Sequence, residues 1–217
     1  PYLRVFSSLA LYYSALQEKM EWPFSPPSSF FAEDVVHFKC YEFRQEREQT
    51  VYNITLIGMP GSGKSTVGVL LAKALGFGFL DTDLVIQQQE GALLQDILDR
   101  RGVPYFLDAE ERAVCSVQCD HHVIAPGGNV VCREGAMAHL KAMGPVIYLR
   151  VPLEELKHRI HNLDSRGIAL EPGQTLDDIL TIRSPLYEAY ADYIVDALPG
   201  QELAESVAQV LKLVSAQ

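Results

Sequence analysis

From residue 51 to the end of the chain, apolar positions fall into two kinds of block. Short runs that are apolar at nearly every position occupy 51–57, 77–80, 122–125, 146–151 and 193–195. Such runs predict strands buried on both faces. Longer segments between them repeat apolar residues three and four apart. These predict helices over 65–75, 84–89, 93–101, 104–118, 135–143, 153–161, 176–191 and 202–213, with a break at Ser184-Pro185. Regular alternation of the two implies an α/β fold: a five-stranded parallel sheet between two helical layers.

Residues 1–50 do not share this pattern. They hold 11 of the 20 aromatic residues, including the single Trp, and the segment 22–29 carries Pro23, Pro26 and Pro27. We read 1–50 as an N-terminal extension with little fixed structure and 51–217 as the folded domain. The mildly apolar stretch 5–11 lacks a cleavage pattern and is not read as a signal peptide.

Composition narrows the possibilities. The chain has 217 residues, 18 Lys+Arg against 28 Asp+Glu, and a formal charge of −10. An acidic surface repels nucleic-acid phosphate and anionic lipid, so neither partner is expected. No apolar run reaches the roughly 20 residues of a membrane-spanning helix. Four cysteines are too few for a disulfide scaffold, which favours a cytoplasmic, reducing setting. Cys115, Cys119, His121 and His122 lie within eight residues. Their spacing is not that of a zinc knuckle, and Cys115 and Cys119 read instead as a core-facing helical stripe.

The chemistry begins at Gly58-Met59-Pro60-Gly61-Ser62-Gly63-Lys64-Ser65-Thr66, between the first strand and the first helix. Glycines free backbone N–H groups to surround phosphate oxygens, and the helix N-terminus adds its positive dipole end. Gly58, Pro60, Gly61, Ser62, Gly63, Lys64, Ser65 and Thr66 are therefore expected to bind a nucleoside triphosphate. Lys64 would reach the outer phosphates and Ser65 would ligate Mg²⁺. Asp81 and Asp83 stand at the end of the second strand, where open α/β sheets hold ligands. Asp83 also stands where a cap for a helix starting at Leu84 would stand. No Asn-Lys-x-Asp guanine-reading element is present, and 167 residues from Val51 to Gln217 suit a small kinase better than a motor.

With these motifs in place, the region 51–217 resembles shikimate kinases. The resemblance rests on the cradle followed by Ser65-Thr66-Val67-Gly68, on Asp81-Thr82-Asp83, on Phe106 and Glu110 at F-R-x-x-E spacing, on the Gly127-Gly128 turn, and on Arg183-Ser184-Pro185-Leu186-Tyr187. It implies a P-loop kinase domain that uses ATP and Mg²⁺, in aromatic amino acid biosynthesis, acting as a monomer. It implies that Asp81 joins the Mg²⁺ shell and that Asp83 orients or deprotonates the acceptor hydroxyl. Gly127, Gly128, Asn129 and Arg183 would bind the small-molecule acceptor. Arg159 would stack on adenine, and Arg166 would descend with a lid to neutralise transferring charge. The catalytic set is then Lys64, Asp83 and Arg166.

The chain departs from the family at the acceptor side. The arginine of F-R-x-x-E is Leu107, the third glycine of the turn is Asn129, and the lid reads Arg166-Gly167-Ile168-Ala169. Leucine cannot pair a carboxylate. Transfer to shikimate is the leading expectation. The alternatives are a related kinase for a sugar acid, polyol or nucleoside monophosphate, and a kinase-like module that binds nucleotide without turnover.

Overall fold

The computed structural model describes residues 52–160, 173–197, 200, 201 and 203–215. The expected extension 1–50 lies outside the described residues, as does Arg166 with the rest of the expected lid. The described residues belong to one compact unit, Val51–Gln217.

Five strands alternate with seven α-helices among the described residues. The strands are β1 (Ile54–Ile57), β2 (Gly78–Asp81), β3 (His122–Ala125), β4 (Val146–Arg150) and β5 (Tyr193–Asp196). All pair in parallel, in the order β2-β3-β1-β4-β5. The helices are α1 (Lys64–Leu75), α2 (Thr82–Glu90), α3 (Leu94–Cys115), α4 (Glu134–Met143), α5 (Leu153–Arg159), α6 (Leu176–Tyr190) and α7 (Leu203–Ser215), with a 3₁₀ turn at Val130–Cys132. The expected αβα architecture is the one observed. No described helix is long and apolar enough to cross a membrane.

The central strand explains the core. All four residues of β1 are buried, and its neighbours β3 and β4 are nearly as deep, whereas the edge strands β2 and β5 are partly open. One large cluster packs Ile57, Ile124, Met137, Leu140 and Tyr148 with the helices beyond them. A separate small cluster of Ile86, Ile97, Phe106, Ala109 and Ala113 joins α2 to α3. These two helices thus carry their own core, and Tyr105 reinforces it. Its hydroxyl donates to Glu90 at 2.7 Å, and the guanidinium groups of Arg101 and Arg112 lie over its ring at 4.6 and 5.4 Å.

Several boundaries differ from the sequence expectation, each for a local reason. α2 begins at Thr82 rather than Leu84, because Asp81, not Asp83, is its cap: the Asp81 carboxylate accepts from the Asp83 N–H at 3.0 Å. α3 is two helical stretches meeting at Gly102, whose φ of 76° suits glycine. Its second stretch ends at Cys115, so Cys119 is not on a helix. Cys115 is exposed, which overturns the core-stripe reading. The break at Ser184-Pro185 does not occur. Pro185 costs α6 one N–H, but Ile179, Arg183 and Tyr187 recur every four residues along a buried face that holds the helix together.

Asn53 ties the start of β1 to its surroundings. It is 2% exposed. Its Nδ2 donates to the Cys119 carbonyl at 2.7 Å, and its Oδ1 accepts from the His122 N–H at 2.9 Å. This backbone use is what the Cys119–His122 segment serves, and no group of three metal-ligating side chains occurs among the described residues. Asn53→Ala leaves two part-buried backbone groups unpaired. We expect it to cost about 2–3 kcal/mol, read from the midpoint shift in denaturant unfolding.

Candidate active site

The carboxyl ends of β1, β2 and β3 open on the same side of the sheet. Ile57 runs into Gly58, Ala125 runs into Pro126, and Asp81 pairs in register with Ala125. Above them lies a cleft of about 510 Å³, lined by six cradle residues (not Gly58 or Ser62), the two aspartates, the Pro126–Asn129 turn, Phe106, Glu110, Arg159 and Leu203. That volume suits small ligands.

The cradle is built for an anion. The cap of α1 is Gly63, left-handed at φ 94°, and no side-chain cap hydrogen bond closes the helix start among the described residues. No acidic residue lies in that turn. The orphan donors are therefore open to an incoming phosphate. Lys64 Nζ donates to the carbonyls of Gly58 and Met59 at 2.9 and 3.1 Å, which parks the ammonium at the cradle's mouth. Burial lowers its pKa to about 8, opposed by the charges of Asp83, Asp81 and Glu110.

At the other side of the cradle, Ser65 Oγ donates to Asp81 Oδ2 at 2.9 Å. The second Asp81 oxygen caps α2. Two hard oxygen ligands thus stand together where the phosphates would lie. Asp83, in the first turn of α2, lines the cleft. Its pKa is raised to about 6 by burial first and by Asp81 second, with Lys64 pulling the other way.

Another wall of the cleft is the Gly127-Gly128-Asn129 turn, where the acceptor is expected. A Cβ on Gly127 would run into Glu110 Oε1, and one on Gly128 would meet Pro60 Cδ at 2.7 Å. Gly128 has no room for a side chain against Pro60, and at Gly127 a side chain would have to displace the Glu110 carboxyl. Asn129 is 5% exposed and lines the cleft. Tyr187 holds the turn from behind. Its hydroxyl donates to the Gly128 carbonyl at 2.5 Å, and its ring stacks on Tyr148 with centroids 4.9 Å apart.

Most of the residues singled out in the sequence converge here. The cradle residues Pro60, Gly61, Gly63, Lys64, Ser65 and Thr66 line one cleft with Asp81, Asp83, Gly127, Gly128, Asn129 and Arg159. Arg159 donates to Glu155 at 2.9 Å, so its guanidinium is held one turn from its own helix start. Arg183 is not among the lining residues. It is buried at 6% exposure, close enough for its charge to act on Glu110, Lys64 and Tyr187. Glu110 and Tyr187 were not foreseen as parts of the site. The four-residue spacing of Phe106 and Glu110 was the available signal for the first. For Tyr187 the signal was its place at the end of the Arg183-Ser184-Pro185-Leu186-Tyr187 element.

Comparison with known proteins agrees with this geometry. The shikimate kinase family model matches residues 60–214. The chain is 37% identical over 164 residues to the shikimate kinase of Paracidovorax citrulli, covering 73% of this chain and 89% of that protein. It is 35% identical over 173 residues to shikimate kinase 2 of Dickeya chrysanthemi, covering 75% and 98%. Among solved structures, the Acinetobacter baumannii shikimate kinase in complex with shikimate superposes with a TM-score of 0.70 at 33% identity, covering 79% of this chain and 97% of that one. A match of this length, running from the cradle to the last helix, settles the family: the chain belongs to the shikimate kinases.

Proposed function

We propose that this protein transfers the terminal phosphoryl group of ATP to a hydroxyl of shikimate, and that residues 51–217 form its kinase domain. The observation that carries this reading is the meeting of Lys64, Asp83 and the Gly127-Gly128-Asn129 turn in one cleft. The shikimate-bound Acinetobacter baumannii relative supports the acceptor.

Each side chain then has a task. The open N-terminus of α1 takes the phosphates, and Lys64 exchanges its two carbonyl partners for phosphate oxygens. Ser65 and Asp81 would hold Mg²⁺, since their paired oxygens are the ligand type a hard cation takes. When bound, that ion supplies positive charge against the transferring group. Asp83 accepts the acceptor hydroxyl's proton or orients its lone pair. A carboxyl raised to about 6 is a better base than an ordinary aspartate and is still ionised at neutral pH. Transfer is in-line, with no covalent phospho-enzyme. Arg166 is assigned to the lid by family resemblance alone. A cytoplasmic setting goes with this reading, since four cysteines in 217 residues are too few for a disulfide scaffold, and the monomeric state is carried over from the family resemblance.

One observation favours a second acceptor. Leu107 replaces the family's carboxylate-pairing arginine and does not line the cleft, so another small hydroxy acid is the second reading.

The test is coupled ADP release with ATP·Mg²⁺ against shikimate, other hydroxy acids, polyols and nucleoside monophosphates. Turnover is expected with shikimate. Turnover only with another member assigns that acceptor instead, and silence with every member supports a binding module. Lys64→Ala should lower kcat by at least about 100-fold through lost phosphoryl charge stabilisation. Asp83→Asn should lower kcat by about 10²- to 10⁴-fold while leaving ATP affinity, measured by titration calorimetry, within about threefold.

A further inference from the structure

Glu110 is the buried ionisable group that the phosphoryl transfer leaves without a task. It sits in the second stretch of α3, is 1% exposed, and lines the cleft. Neither carboxyl oxygen has a hydrogen-bond partner among the described residues. Its Oε1 fills the space a Gly127 side chain would take, and Asp83 Oδ1 lies 3.2 Å from that same point. Two carboxyl groups therefore crowd one glycine.

The charges around it come from four elements. Asp83 on α2 opposes ionisation, and Arg183 on α6, Asn129 in the turn and Lys64 on α1 favour it. Asn129 lies close enough to act on the carboxyl, but without hydrogen-bonding geometry to either oxygen. Tyr187 on α6 stays protonated beside it. Its own helix contributes no cation. Leu107 stands one turn earlier, Arg112 is paired with Glu90, and Arg133 beyond the turn is paired with Asp108. A carboxylate buried without donors is strongly disfavoured against the neutral acid. Burial, and then Asp83, push the Glu110 pKa up to about 8.

We propose that Glu110 is a specificity residue that meets the acceptor as an un-ionised carboxylic acid, donating its O–H to an oxygen of an anionic hydroxy acid. This rests on the shikimate reading for the identity of the acceptor, and on the geometry of α3 for the state of Glu110. Un-ionised, Glu110 adds no further carboxylate to a cleft that already holds Asp81 and Asp83, so an acceptor anion enters without a third repulsion. Leu107 is what makes this state available: an arginine one turn away would hold the carboxylate charged.

The sign of the pH effect follows. Acceptor binding selects the protonated form, so affinity is full below the free protein's Glu110 pKa of about 8. Above it, kcat/KM for the acceptor falls about tenfold per pH unit. Lys64 shares this range in the free protein, and saturating ATP·Mg²⁺ removes it from the profile, because bound phosphates hold it charged.

Two measurements test the proposal. The first is the infrared difference spectrum of acceptor-free wild type against Glu110→Gln at about pH 7. An un-ionised carboxylic acid carbonyl stretch is expected, lost as pH rises past about 8 and absent in Leu107→Arg, which leaves the buried residue untouched. An ionised carboxylate in wild type at about pH 7 overturns the proposal. The second is the pH profile of kcat/KM for shikimate at saturating ATP·Mg²⁺. Wild type should show the one-proton fall, and Glu110→Gln, which keeps a donor but cannot ionise, should not. The same fall in Glu110→Gln overturns the role in binding. A neutral-acid signal without turnover of shikimate overturns the acceptor reading and leaves the state of Glu110 standing.

Discussion

Asp81 is the last residue of β2 and the cap of α2, and its two oxygens are committed to different elements. One accepts from the Asp83 N–H and the other from the Ser65 hydroxyl. Its backbone is meanwhile fixed in register against Ala125, the residue before the Pro126–Asn129 turn. One carboxylate at a strand end therefore sets the distance between the cradle helix, the helix bearing Asp83 and the acceptor wall. Without it, α2 loses its cap and Asp83 loses its placement in the first turn. The parallel sheet supplies the frame, since every strand delivers its carboxyl end to the same edge.

The two helices that meet at Asp81 end in opposite ways, and the contrast divides the labour of the site. α2 is closed by a side chain, so its N-terminal donors are partly spent inside the protein. α1 begins at a glycine with no side-chain cap and no acid in its first turn. Its donors are left for something from outside. Lys64 is tuned by the same logic. Burial disfavours its charge and the nearby carboxylates restore it, so the ammonium stays charged at neutral pH, and among the described residues its hydrogen bonds go to two carbonyls. A group held this loosely exchanges partners readily when a phosphate arrives.

The parts of the site that were legible in the sequence are those built from contiguous residues. The cradle is a strand, a glycine turn and a helix in one stretch, and the strand-end aspartates follow from where β2 stops. Local signals failed where packing decides. Pro185 reads as a break, but a helix with Ile179, Arg183 and Tyr187 buried along one face tolerates one missing N–H. Cys115 and Cys119 read as one helical stripe, but the helix ends between them and Asn53 takes over the following backbone. No local signal showed that Arg183 is buried, close enough for its charge to act on Glu110.

The acceptor wall shows why such sites resist reading in one dimension. Gly128 comes from the turn after β3, Pro60 from the cradle, Tyr187 from α6 and Glu110 from α3, and each limits the others. Tyr187 draws the Gly128 carbonyl back, and stacking on Tyr148 of β4 fixes the ring that does so. Drawn back, the turn leaves only glycine-sized gaps, which Pro60 and the Glu110 carboxyl occupy. A substitution in this arrangement acts at a distance from where it is written. Leu107 does not line the cleft, and its effect is not a lost contact there. By withholding a positive charge from the neighbouring turn of α3, it leaves the Glu110 carboxyl to be governed by burial and by Asp83. The shape of the acceptor wall is thus fixed by packing from four directions, and its charge is open to change by one residue outside it.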